Sequence, residues 1–166
     1  LANDEKFHFN PGDDFTITLW ARVNNTLNNG SAYLISKSTT RTIIPSAIGG
    51  QAYEYSTAVT GAAQTKDVAA ANHYPFEVYV ENAGATNTTP HLFFRRFDGN
   101  ITSTVSSSIR TGSLQHISCR VSSSQMEIFL AGTGSGVSGS DMTFRETQNN
   151  ANVYIGNKGG NENFLI

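Results

Sequence analysis

Glu77 and Glu81 are the two carboxylates whose spacing invites a chemical reading. They fall in Phe76-Glu77-Val78-Tyr79-Val80-Glu81, where apolar and polar residues alternate. Both therefore point to one side of a strand. Four residues of extended chain separate them by roughly 13 Å. Glycoside cleavage needs two carboxyls about 5–5.5 Å apart for retention, or about 6.5–9.5 Å apart for inversion. The pair reads as a solvated strand face rather than a catalytic dyad.

Other chemical groups are as sparse. His8, His73, His91 and His116 are scattered, without the paired spacing of a zinc site. His116 lies opposite the apolar face of its strand, where it reads as a surface or inter-sheet hydrogen-bonding group. Gly134-Ser135-Gly136-Val137-Ser138-Gly139 matches G-x-G-x-x-G. That motif binds phosphate only when a helix opens directly after it, and no helical pattern follows here. No G-x-S-x-G elbow provides a nucleophile. The single cysteine, Cys119, falls on an apolar strand face and reads as a small buried hydrophobe. No catalytic residue is assigned, and the chain is read as non-enzymatic.

Recognition chemistry is better represented. Trp20 and Arg22 lie on the polar side of the stretch Phe15 to Val23. A tryptophan exposed beside an arginine can stack on a sugar ring or anchor a protein partner. It can equally sit under a loop. Tyr53 and Tyr55 share a face within Gln51 to Thr57. These four residues are the ligand-binding candidates. Asn24, Asn29, Asn87 and Asn100 each begin an Asn-x-Ser/Thr triplet, read as chance matches in an Asn- and Thr-rich chain.

The elements that must position these groups are strands. Phe15, Ile17, Leu19, Ala21 and Val23 alternate with Thr16, Thr18, Trp20 and Arg22, a period of two bounded by Asn10-Pro11-Gly12-Asp13-Asp14 and Asn24-Asn25. Lys6 to Phe9 reads as a short first strand. Further strands are expected at 32–37, 51–57, 76–81, 91–97, 101–106, 114–121, 126–130, 152–156 and 163–166. Asp98-Gly99-Asn100 between alternating runs signals a hairpin. Residues 38–50 read as irregular, 58–73 as a loop or one short helical turn, and 132–140 as a Gly/Ser loop. Short strands without a packed helix imply an all-β fold: an antiparallel two-sheet β-sandwich forming one domain over 1–166.

Charge excludes some functions. Only 14% of the 166 residues are charged and the formal net charge is −2. Phosphate binding needs clustered Lys and Arg, so nucleic acid is not an expected partner. The apolar runs fall well short of the ~20 residues of a membrane helix, so membrane insertion is not expected.

Several blocks resemble a known family. Phe15 to Val23, then a loop, then Tyr33-Leu34-Ile35-Ser36-Lys37, resembles the opening of laminin-G-like domains in the concanavalin A-like lectin/glucanase superfamily. Leu114 to Arg120, Met126 to Gly132 and Val153 to Gly156 look like later strands of those domains, in the same order. Leu114 stands where the family usually has Trp, and the family's closing strand would follow residue 166. The resemblance implies a concanavalin A-like jelly roll that is part of a longer chain. No cofactor is required, but relatives in that family often bind calcium, which makes Asp98 and Asn100, or Asp141, metal candidates; the same residues read equally as turn chemistry. The resemblance does not bring the family's closely spaced glucanase carboxylates, which this sequence lacks.

The expected function is adhesion or structural assembly on a surface. The Asn/Thr/Gly/Ser-rich, low-charge style is similar to that of bacteriophage virion proteins, such as fibres and capsid decoration proteins. Expected partners are other virion or surface-protein subunits and a host-surface glycan, at a virion surface or outside the cell. The alternatives are a secreted carbohydrate-binding module and a glycoside hydrolase.

Overall fold

The alternation of residues 15–22 becomes the eight-residue strand β1 (Phe15–Arg22), with Phe15 and Ala21 buried, Ile17 and Leu19 half-buried, and Thr16, Thr18, Trp20 and Arg22 exposed. The computed structural model describes residues 5–23, 31–37, 43–45, 52–54, 74–82, 89–98, 101–131, 137–143, 147 and 152–156. After β1 come β2 (Ala32–Ser36), β3 (Ile43–Pro45), β4 (Ala52–Glu54), β5 (Tyr74–Asn82), β6 (Pro90–Phe97) and β7 (Thr102–Ser108). The chain continues with β8 (Leu114–Ser122), β9 (Gln125–Leu130), β10 (Val137–Ser140) and β11 (Tyr154–Ile155).

The strands form a four-stranded sheet in the order β1-β8-β9-β10 and a five-stranded sheet in the order β11-β2-β5-β6-β7, with β3 and β4 as a separate pair. Every strand pairing among the described residues is antiparallel. The protein is therefore an all-β, two-sheet sandwich. Phe15, Ile117, Cys119, Val121, Met126 and Ile128 of one sheet share a buried core with Leu34, Phe76, Val78, Val80, Leu92, Phe94 and Val105 of the other. Burying each larger apolar side chain contributes about 1.5–3 kcal/mol. Phe9 stacks on Phe15 with ring centroids 4.0 Å apart, closing one end of that core. Burial pushes the Cys119 thiol up, which removes thiolate reactivity.

Two hairpins set the register. Phe97 opposes Thr102, and between them the Asp98 carboxylate accepts from the Ile101 N–H at 2.6 Å. The hairpin expected around Asp98-Gly99-Asn100 is present, and Asp98 serves it as a turn residue. Ser122 opposes Gln125 across Ser123 (φ 50°) and Ser124 (φ 62°). Two left-handed residues are what a two-residue type I′ turn demands. Neither is glycine, so a local cost of order 1 kcal/mol per residue is offset elsewhere. Asp14 supplies part of that, accepting from the Ser123 N–H at 2.9 Å and the Ser122 hydroxyl at 3.2 Å.

The fold corrects several expectations. Residues 6–9 are not a strand: Glu5–Phe7 is a 3₁₀ turn, although Phe7 and Phe9 both pack against the core. A strand, β3, lies inside the stretch read as irregular, and β10 lies inside the Gly/Ser loop. β10 has no alternation of its own and takes its form from the ladder Val137–Ile128 to Ser140–Gln125. Because a strand occupies 137–140, the G-x-G-x-x-G match has no helix to offer a phosphate. Glu77 is not solvated. It is fully buried and bonded to Arg95. The expected strand at 163–166 and the four Asn-x-Ser/Thr asparagines lie outside the described residues.

Candidate functional site

The outer face of the four-stranded sheet is built by register. Trp20 opposes His116, Arg22 opposes Leu114, Thr18 opposes Ser118 and Thr16 opposes Arg120. On the next ladder Ser118 opposes Phe129 and Arg120 opposes Glu127. Period two then lifts Trp20, Arg22, Leu114, His116, Ser118, Arg120, Glu127 and Phe129 to the same side, away from the core. Trp20 is 65% exposed and Leu114 64% exposed. The Trp20 and His116 rings lie 5.1 Å apart at 57°. Arg120 binds Glu127 through Nε at 2.7 Å and covers the Phe129 ring at 5.4 Å. Arg22 is exposed, and no side-chain hydrogen bond or ion pair holds it among the described residues. The result is an aromatic plane open to solvent, flanked by a guanidinium and an imidazole. Such a surface can stack on an apolar ring face and donate hydrogen bonds at its margin.

The outer face of the five-stranded sheet is different. A bulge between Tyr74 and Glu77 inserts one residue opposite Arg95–Phe97, which turns Tyr74 to the same side as Glu77 and Tyr79. Tyr33, Tyr74, Glu77 and Tyr79 are all buried there. Arg95 donates to Glu77 Oε2 at 2.7 and 3.2 Å and lies 4.9 Å over the Tyr79 ring. Tyr79 also stacks on Phe93, at 5.2 Å and 10°. Burial and the Glu77 carboxylate push the Tyr74 phenol up, and burial pushes Tyr79 up to about 12. Burial pulls the Arg95 guanidinium down, but Tyr74, Glu77 and Tyr79 together hold it above its ordinary value. This constellation is a closed network, with its charges spent on one another.

A second buried arginine joins separate segments. Arg96 lies on the core side of β6 with its side chain fully buried. It donates to Asp141, to the Pro75 carbonyl at 3.0 Å, to the Phe9 carbonyl at 3.0 Å and to Thr147 Oγ1 at 3.3 Å. Burial pulls this guanidinium down, against Asp141 and Asp13, which raise it. Arg96 therefore ties the segment before β1, the start of β5 and the chain after β10 to one point.

The sequence candidates divide accordingly. Trp20 and Arg22 come together on an open face. Tyr53 lies in β4 opposite Ile44, on the separate two-stranded sheet. Tyr55 and Asn100 lie outside the described residues. Asp98 is a buried turn residue. Asp141 accepts from Arg96 at Oδ2 and from the N–H and hydroxyl of Thr143 at Oδ1, so both oxygens are engaged and its charge is neutralised. Among the described residues no three His, Cys, Asp or Glu side chains converge on a metal-sized site. The sequence reading missed Leu114 and Phe129 as members of the open face. Their signal was present: each is an apolar residue on the polar phase of its strand.

Fold and face together define a two-sheet β-sandwich whose five-stranded outer face is buried at Tyr33, Tyr74, Glu77 and Tyr79 and whose four-stranded outer face is open at Trp20 and Leu114. No protein-family model matches the chain, and neither a curated protein nor a solved structure matches it.

Proposed function

We propose that this protein is a non-catalytic adhesion module that holds a glycan on the outer face of its four-stranded sheet. The observation that carries this reading is Trp20, 65% exposed beside His116 and Arg22 on a sheet face. A large aromatic left in water at that extent is an unspent source of binding energy. The lack, in the sequence, of the closely spaced glucanase carboxylates supports the non-catalytic part. The laminin-G-like order of sequence blocks supports a concanavalin A-like module. The low-charge, Asn- and Thr-rich composition supports a virion or other extracellular surface as its setting.

Trp20 is the chain's single tryptophan, so its fluorescence reports the site directly. A glycan array followed by fluorescence titration is the test. Binding that shifts tryptophan emission and disappears in Trp20→Ala is the expected result. An array with no positive glycan would overturn it.

A second reading has its own observation. Leu114 and Phe129 are exposed apolar residues on the same face, which suits a flat contact with a neighbouring subunit. Sedimentation over a concentration series separates the two. Self-association lost in Leu114→Ser favours the subunit contact.

A further inference from the structure

We infer that the sugar held over Trp20 carries a carboxylate, and that Arg22 is the residue that selects it. This rests on the glycan-adhesion reading above. The charges on the open face are unevenly spent. At one end Arg120 is neutralised by Glu127. At the other end Arg22 and His116 flank Trp20, and no acidic side chain on β1, β8 or β9 shares that end. Glu127 sits on the rung of Thr16, four residues along β1 from Trp20, or roughly 13 Å away. Arg110, also exposed, lies next to Thr111, whose bridge to Val23 closes the same end of β1. The net charge of the whole chain is −2, whereas among the described residues no ion pair neutralises Arg22 or Arg110.

Geometry then selects the group. Trp20 and Arg22 are two residues apart on one face, roughly 7 Å along the strand. One sugar can lie across the indole while a planar substituent reaches the guanidinium. The guanidinium fork matches a carboxylate in a bidentate pair, which an ammonium cannot reproduce. Arg22 has no side-chain partner to give up among the described residues, so the pair forms without breaking another.

The test is an array carrying uronate-containing, sialylated, sulfated and neutral oligosaccharides, followed by Trp20 fluorescence titration of parent, Arg22→Gln and Arg22→Lys chains. Arg22 is exposed, so an unchanged melting temperature is the folding control. The expected result is preference for the carboxylated sugars. Affinity then falls about tenfold or more in Arg22→Gln, with only partial retention in Arg22→Lys. Neutral or sulfated sugars binding as well as carboxylated ones, or an Arg22→Gln chain that binds like the parent, would overturn the carboxylate assignment and leave glycan adhesion standing. Failure of every sugar class to bind would overturn both.

Discussion

Two cross-strand Arg–Glu pairs, one on each sheet, show how differently the two outer faces are used. Arg95 and Glu77 are register partners on β6 and β5, and Arg120 and Glu127 are register partners on β8 and β9. Each arginine also covers an aromatic ring, Tyr79 in the first case and Phe129 in the second. The local chemistry is nearly the same. The surroundings are not: side-chain exposure is 27% and 0% for Arg95 and Glu77, but 47% and 19% for Arg120 and Glu127. The first pair is largely withdrawn from water and the second is the rim of an open platform. A third pair, Arg96 with Asp141, is buried at both ends and extends the series.

That series predicts graded costs of neutralising the acid. Asp141→Asn leaves Arg96 buried without its counter-ion, and should cost about 3–5 kcal/mol in urea unfolding. Glu77→Gln should cost less, about 1–3 kcal/mol, because Arg95 keeps partial access to water. Glu127→Gln should cost about 0–1 kcal/mol, and salt should shrink even that. Equal costs for Glu77→Gln and Glu127→Gln would erase the distinction between the two faces.

Buried groups of the five-stranded sheet should also set the alkaline behaviour. Lys37 is fully buried at the end of β2, and burial lowers it to about 8, against an ordinary value of about 10.4. Between those values the unfolded chain binds the proton and the folded chain does not, so stability rises with pH across that window. Tyr79 works in the opposite sense. Its folded value of about 12 lies above the ordinary 10, so stability is lost as pH rises above about 10. Relative to Lys37→Met, the parent should therefore gain stability from about pH 8 to 10. Relative to Tyr79→Phe, it should lose stability above about pH 10. Chemical unfolding at stepped pH measures both.

The smallest effect should be the most informative. Trp20→Ala removes the largest side chain of the open face, yet it should change stability by no more than about 0.5 kcal/mol, as for surface substitutions. A larger loss would mean that Trp20 holds the fold, and that the open face is structural.

Much of this was legible in the chain. The alternations in β1, β8 and β9 placed Phe15, Ile117, Cys119, Val121, Met126 and Ile128 correctly in the core, because side-chain direction in a strand is local. The same alternation placed Trp20 and Arg22 together. It failed where local pattern and partner disagree. Val137 to Ser140 has too few apolar residues to announce a strand, and only the β9 ladder makes it one. Phe7 and Phe9 announced a strand, but reach the core from a 3₁₀ turn and the irregular chain after it.

By itself, the sequence determined that the chain forms antiparallel strands, which side of each strand is apolar, and that one indole and one guanidinium share a face. It could not say which polar face would be sealed. Glu77 and Trp20 occupy equivalent phases of alternating strands, yet one is fully buried and the other is mostly in water. Period two separates the two sides of a sheet, but only the tertiary structure decides what lies across each side. Burial depends on contacts far apart in the chain, and no local spacing encodes them.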